Sequence, residues 1–284
     1  MIALLALALS AATVPADSAI PVRQGERLEI RGLAGEVRVR GWSRDAIQVT
    51  SADGGSAVRA ARARGVLSLS PADPGPGGMG RFEVAIPAWM SMDLASGAAD
   101  VSVTGVDAAV AVELMRGDID VRGGRGVITL QTVEGSVLLQ DARGRIQVKS
   151  IAGSVRVLGA TGDVTASTLG HELVLERIDS RNVAATSFNG PIRFEGIIHD
   201  DGRYRLASND GPVTATVPPS LNATIAVARF RGRFVSGIPG VQAPSDAGRR
   251  FNVVAGNGSA RLELESFTGT ITLRATTANP RSPR

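Results

Sequence analysis

The chain has 284 residues, of which 43% are hydrophobic and only 4% aromatic, with 34 glycines and no cysteine. The lack of cysteine excludes disulfides and a lipid-modified cysteine, and the dispersed arginines with a net charge of +4 do not indicate a nucleic-acid-binding protein. Because β-branched residues fit pleated sheets and glycine interrupts helices, the composition favours an all-β fold of many short strands.

The first 16 residues, MIALLALALSAATVPA, contain an apolar stretch of about a dozen residues, which is too short to span a bilayer, since that takes about 20. The segment ends in small residues, and Val14 and Ala16 suit a signal-peptidase site. We therefore expect a signal peptide over 1–16, cleaved after Ala16 or Ala19, and a periplasmic or secreted protein. The segment lacks the usual positive charge, and a buried first strand is the alternative. No later run predicts a transmembrane segment.

Short strand-like pieces such as LEIRG, EVRVRGW and RFEVAIP follow between residues 26 and 86. They are separated by SADGGS and by PADPGPGGMG, whose turn residues predict loops. These less regular strands are expected to cap the repeats that follow, since the ends of a long sheet need protection against edge-to-edge growth.

Regular nine-residue units occupy residues 99–217. In the nine units that begin between residues 99 and 171, places three, five and eight are hydrophobic except at Gly124, and places two and four are mostly polar. Such alternation predicts strands with one dry and one wet face. One extra residue then moves a unit start to residue 181, and three extra residues in IIHDDG move another to Gly202; we expect both insertions in loops.

Two architectures repeat every nine residues: an antiparallel meander, and a parallel β-solenoid with two short strands per coil of about 18 residues. The meander would place residues seven to nine at exposed hairpin tips, whereas the solenoid would turn them through a corner. The apolar place eight therefore favours the solenoid, because its side chains are expected inside the coil. Less regular strands after the repeats, such as ARLELES and GTITLRA, are expected to cap the other end. We expect a single repeat domain over 17–275 and a flexible polar tail over 276–284.

Asp100, Asp118 and Asp120 form the sharpest candidate site. Residues 18 apart would lie on neighbouring strands of one outer wall, and carboxylates at such distances could serve glycoside hydrolysis or hold calcium. A solvated acidic stripe explains the same pattern without chemistry.

The segment RFRGRF alternates Arg229, Arg231 and Arg233 with Phe230 and Phe234. The segment predicts a strand whose phenylalanines face the core. Its arginines would lie on the outer face and could form a basic stripe for anionic envelope polymers.

Two histidines complete the candidates. His171 takes the place of a glycine at a unit start, and His199 precedes Asp200 and Asp201 in a loop that could bind a metal or be an ordinary polar turn. The sequence contains no nucleophile or phosphate-binding motif, and we assign no catalytic, cofactor-binding or metal-ligating residue.

Several longer motifs follow one another over about residues 24–275: LEIRGLAGEVRVRGW, FEVAIPAWMSMDLASGAADVSV, TSFNGPIRF, ASNDGPVTATVP and LELESFTGTITLRA. In this order they resemble the bacterial putative-adhesin family, a β-strand-repeat domain of unknown function. The resemblance implies an exported all-β solenoid with no established catalytic residues.

The sequence thus predicts a non-enzymatic envelope scaffold or adhesin-like binding surface. Its partner would be an unidentified envelope or extracellular polymer or protein. A carbohydrate-active β-helix enzyme that uses the three aspartates, and a self-assembling filament resembling the bactofilins, are the alternatives.

Overall fold

The computed structural model describes residues 11–14, 19–51, 57–72, 79–245 and 248–276. Over these residues the fold is all-β, as predicted, with strands joined into a large sheet and no helix that could cross a membrane. Most of the predicted signal peptide and of the polar tail lies outside this range, although Ala11–Val14 forms a strand and Thr276 is described. The chain divides into two compact units, Met1–Thr129 and Leu130–Arg284.

Unit 1 contains eleven described strands and the beginning of a twelfth. They are β1 (Ala11–Val14), β2 (Ala19–Pro21), β3 (Arg27–Arg31), β4 (Ala34–Trp42), β5 (Ala46–Ser51), β6 (Val58–Ala63), β7 (Val66–Pro71), β8 (Met79–Pro87), β9 (Met92–Val106), β10 (Val110–Arg116), β11 (Ile119–Gly123) and β12 (Arg125–Glu134), of which β12 continues into unit 2.

The strands of unit 1 form two ladders. The first runs in the order β1, β6, β7, β3, β9 and β10, and the second in the order β2, β5, β8, β4, β9 and β11. The long strand β9 belongs to both. Pairs at the outer ends are antiparallel, namely β1 with β6, β6 with β7, β2 with β5, and β5 with β8, whereas the inner pairs are parallel. The irregular strands predicted near the start of the chain therefore flank the parallel repeat.

Unit 2 contains the remaining strands. They are β13 (Val137–Gln140), β14 (Arg143–Ala152), β15 (Val155–Leu158), β16 (Thr161–Thr168), β17 (Leu173–Ser187), β18 (Ile192–Ser208), β19 (Val213–Val217), β20 (Ala223–Arg229), β21 (Phe234–Ser236), β22 (Arg250–Ala255), β23 (Ala260–Ser266) and β24 (Ile271–Ala275).

Unit 2 also has two ladders. Its first ladder runs β12, β14, β16, β17, β18, β23, β20 and β22, and its second runs β13, β15, β17, β18, β19, β24 and β21. The strands pair in parallel from β14 to β20 and throughout the second ladder, and β22 adds to β20 in the antiparallel sense. Strands β23 and β24 are inserted between strands that precede them in the chain.

The parallel pairs follow the predicted register. Ile146 faces Val164, and Val137 faces Val155, which are the same places of units 18 residues apart. The two predicted insertions are also present, since Val164 faces Val183 and Val183 faces Tyr204. Their expected location in loops is wrong: both are absorbed as register shifts within β17 and β18, because the chain stays extended through them.

Places three and five of each repeat face the core. In unit 2 the side chains at these places, from Val137 to Leu206, are at most 3% exposed. Tyr204 and Phe194 are among the largest fully buried side chains, and their rings pack 6.0 Å apart at a tilt of 58°. The alternating sequence pattern thus predicts the core correctly.

Place eight behaves differently at the two corners that connect the ladders. After the second ladder, at the second corner, Ala142, Ala160 and Ile178 are at most 1% exposed. Each follows a residue with positive φ, namely Asp141, Gly159 or Arg177. A left-handed residue at place seven breaks the alternation and turns the next side chain inward.

After the first ladder, at the first corner, the alternation continues through place seven. A Ser or Thr is buried there, and hydrogen bonds of its hydroxyl hold this corner without a left-handed residue. The buried hydroxyl side chains of unit 2 at this place are Thr132, Ser150, Thr168, Ser187, Ser208 and Ser266. Ser266 Oγ, for example, accepts a hydrogen bond from Gly269 N and donates one to Gly211 O, both at 2.9 Å.

Place eight at the first corner consequently points outward. Ile151 and Leu169 are 39% and 53% exposed, and Val133 is half-buried. The expectation that every apolar place eight lies inside is therefore wrong for alternate units, even though the strands pair in parallel.

Candidate functional site

The predicted acidic site lies on an outer face of unit 1. The backbone N–H of Asp118 donates to Asp100 Oδ1 at 3.0 Å, so the spacing of 18 residues does bring these two positions together. Asp100 and Asp118 are exposed, and Asp120 is half-buried with its Oδ1 3.7 Å from Arg122 Nε. One carboxylate thus binds a neighbouring backbone amide and another lies beside a guanidinium, which is an arrangement typical of a surface stripe.

The histidine segment does not converge on one point. His199 Nε2 lies 2.7 Å from Asp179 Oδ1, whereas Asp201 pairs with Arg181, and that guanidinium lowers the pKa of the Asp201 carboxyl. Asp200 accepts a hydrogen bond from Ser259 Oγ at 3.0 Å.

Behind this segment the Tyr204 hydroxyl donates to Ser180 O at 2.6 Å, and burial raises its pKa. His171, the other histidine, is exposed at a unit start. Within the described ranges no three acidic or histidine side chains are grouped closely enough to hold a metal ion.

The RFRGRF segment is not the continuous strand that its alternation predicts. Strand β20 ends at Arg229, and β21 begins only at Phe234. Arg229 pairs with Ser266, which occupies place seven, so Phe230 occupies place eight at the first corner. The chain turns there instead of continuing as a strand. The expected inward orientation is wrong for Phe230, which is 38% exposed. Its ring stacks on that of Phe267 with centroids 4.4 Å apart, and the Arg249 guanidinium lies 3.8 Å from its centroid.

These side chains form one end of a groove of about 760 Å³ on the outer face of the first ladder in unit 2, which we call the arginine groove. Ala207 and Ala228 contribute small side chains to its lining, beside Arg205, Arg249 and Arg250. Ala207 and Ala228 lie on β18 and β20, on either side of the inserted strand β23.

The charge in the arginine groove is unevenly compensated. Arg205 Nη2 donates to Glu265 Oε2 at 2.9 Å. Outside the lining of this groove, Arg261 lowers the pKa of the neighbouring Glu263 through a hydrogen bond from its Nε at 2.6 Å. No ion pair among the residues that the structure describes includes Arg249 or Arg250. The groove therefore carries an excess of positive charge.

Two further grooves adjoin the arginine groove through Arg205. One of about 570 Å³ includes Arg250 and Glu263, and another of about 690 Å³ extends to Arg145 on β14. Since neighbouring strands lie about 4.8 Å apart, the three grooves from β14 to β22 cover about 29 Å of the outer face. The sequence signal that could have indicated this surface is the outward arginines of β18, β22 and β23, but only the fold brings them together.

No family model matches the chain, and no curated protein matches it. A putative adhesin from Bacteroides fragilis overlaps with 94% of this chain and 98% of its own, at 12% identity and a TM-score of 0.39. A putative cell adhesion protein from Clostridium sporogenes overlaps with 95% and 99%, at 8% identity and a TM-score of 0.21. Both names agree with the family resemblance of the sequence motifs, but overlaps this weak assign neither family nor function.

Proposed function

We propose that the protein is an exported, non-enzymatic β-solenoid that binds an extended anionic polymer of the cell envelope through its arginine groove. The uncompensated Arg249 and Arg250 beside the Phe230–Phe267 stack are the observation that carries the proposal. Export is expected from the sequence of residues 1–16.

The solenoid is supported by the parallel step of 18 residues and by the core places of both ladders. In a solenoid the chain returns to the same ladder after every two units, one strand further along. Two ladders linked by two kinds of corner, one closed by hydroxyl side chains and one by left-handed residues, fit this path. Such repeats offer long outer faces whose residues are free to vary, since each coil is held by its neighbours.

Binding rather than catalysis is supported by the state of the carboxylates. Glu263 and Glu265 are held by Arg205 and Arg261, and Asp201 is held by Arg181. A glycoside hydrolase with two catalytic carboxyl groups needs one of them protonated as general acid, whereas arginine partners favour the ionised form. Arginine forks combined with aromatic rings suit the recognition of carboxylate, sulfate or phosphate groups along a polymer.

The test measures binding of the full chain to an acidic polysaccharide such as polygalacturonate, with dextran as the neutral reference. We expect polygalacturonate binding that weakens with salt, and at least a tenfold loss of affinity in Arg249→Gln/Arg250→Gln, equivalent to about 1.4 kcal/mol. The matched control Arg143→Gln/Arg156→Gln removes the same charge from exposed positions outside the grooves and should keep wild-type affinity. Equal loss in both double variants would show non-specific charge attraction and contradict the proposal, as would new reducing ends in the polymer.

A further inference from the structure

The apolar residues at the first corner are not explained by folding. Place seven already closes this corner with a buried hydroxyl, so a polar side chain at place eight would leave the core intact. Asn209 occupies one such place and shows that a polar residue is accepted there. Elsewhere in unit 2 the place is nevertheless filled by large hydrophobic residues.

The strand register puts these residues in one row. The pairs Thr168 with Ser187, Ser187 with Ser208, Ser208 with Ser266, and Arg229 with Ser266 fix the order of the following residues. The row, which we call the apolar ridge, consists of Val133, Ile151, Leu169, Phe188, Phe267 and Phe230, with Asn209 between the first two phenylalanines.

The members of the ridge are substantially exposed. Phe188, Phe267 and Phe230 are 53%, 44% and 38% exposed, close to the values of Ile151 and Leu169. One side chain projects from each strand at a spacing of about 4.8 Å, so the ridge is about 29 Å long. A row of large apolar side chains on an exposed edge is typical of an interaction surface.

Charge near the ridge is basic at the Phe230 end and of mixed sign elsewhere. The residues on either side of Ile151, Leu169 and Phe188 in sequence are neutral, and the nearest charge on these strands is Lys149, the sole lysine of the chain. At the other end Arg249 covers Phe230, and Arg231 N donates to Phe267 O. Glu134 and Asp210 lie in the adjoining turns, and the backbone N–H of Asp210 donates to Phe188 O. Glu265, two residues before Phe267, is paired with Arg205.

We propose that the apolar ridge docks on the surface of an anionic lipid bilayer, with its side chains inserted among the acyl chains and the arginines at its end bound to lipid phosphates. A bilayer accepts a convex, single-file row without a preformed groove. Each basic residue near an anionic surface strengthens binding about fivefold. A second copy is a poorer fit, since a ridge one side chain wide buries far less than the roughly 1,200 Å² of a stable interface.

The experiment measures co-sedimentation of the full chain with vesicles of phosphatidylcholine containing phosphatidylglycerol, and with phosphatidylcholine alone. We expect stronger binding to the anionic vesicles. Ile151→Ser/Leu169→Ser/Phe188→Ser should weaken it at least tenfold while leaving polygalacturonate binding unchanged, because these residues lie outside the arginine groove.

The control Ile197→Ser/Val235→Ser/Val254→Ser removes equally exposed apolar side chains of unit 2, which are 50%, 51% and 59% exposed, and should bind vesicles as the wild type does. Thermal unfolding of each variant verifies the fold, and residues 1–16 are common to all of them. Undiminished binding of the ridge variant, equal losses in both variants, or a wild-type dimer that the ridge variant abolishes would overturn the proposal.

Discussion

In unit 2 the chain turns from one ladder to the other at two kinds of corner, and different residues stabilise each kind. At the second corner a left-handed residue such as Arg177 turns the apolar Ile178 inward. At the first corner a buried hydroxyl such as that of Thr168 binds the neighbouring turn, and Leu169 is left outside. The second corner thus contributes to the core, whereas the first leaves apolar side chains exposed. A repeat that looks uniform in sequence has one edge that packs inward and one that faces outward.

The largest effect is expected from the glycines that stack at the first corner. A Cβ on Gly190 would lie 1.7 Å from His171 O, so Gly190→Ala should cost at least about 3 kcal/mol of the free energy of unfolding. Gly170→Ala is the control, because nothing lies within 4 Å of its Cβ, and its cost should stay below about 1 kcal/mol. Chemical denaturation compares the two, and similar values would show that the stacking does not constrain this corner.

A smaller effect separates the two kinds of place eight directly. Ile178→Ala removes a side chain that is 1% exposed and should destabilise the protein by about 2–5 kcal/mol. Leu169→Ala removes one that is 53% exposed and should cost less than about 1 kcal/mol. If urea denaturation gives equal costs, the distinction between the corners fails.

The smallest effect concerns the buried hydroxyl. Thr168→Val keeps the shape of the side chain but leaves Gly153 O without its 2.9 Å hydrogen bond, which should cost about 1–3 kcal/mol. Thr165→Val on the exposed face of the same strand should change stability by less than about 0.5 kcal/mol. A Thr168→Val protein as stable as the wild type would show that the hydroxyl is dispensable at this corner.

The sequence predicts the core and the strand pairing well, because places three and five follow a strict alternation and register follows from the equal length of the units. The sequence predicts the corners poorly. The hydrophobic pattern repeats every nine residues, whereas the two kinds of corner alternate and therefore repeat every 18. Place seven carries the missing signal: Asp141, Gly159 and Arg177 alternate there with Ser150 and Thr168. Local backbone conformation decides which way the next side chain points, and hydrophobicity at place eight contains no information about it.

The arginine groove could not be predicted for a different reason. Arg205, Arg249 and Glu265 are far apart in sequence, and no local pattern relates them. They come together because β23 pairs with both β18 and β20, and the pairing of strands so distant in sequence does not follow from any local pattern. The sequence leaves open whether the histidine segment binds a metal or is an ordinary polar turn. In the structure the segment belongs to β18, and its acidic residues have separate partners.

The insertion of β23 and β24 also determines when unit 2 can assemble during synthesis. The parallel partners of β20 and β21 are strands that the ribosome produces about 35 residues later. Until then the free edges of β18 and β19 are open to wrong partners, including the edge of another nascent chain. Folding of this unit therefore finishes only after β23 and β24 emerge from the ribosome. Until then the unpaired strand edges leave the nascent chain prone to aggregation.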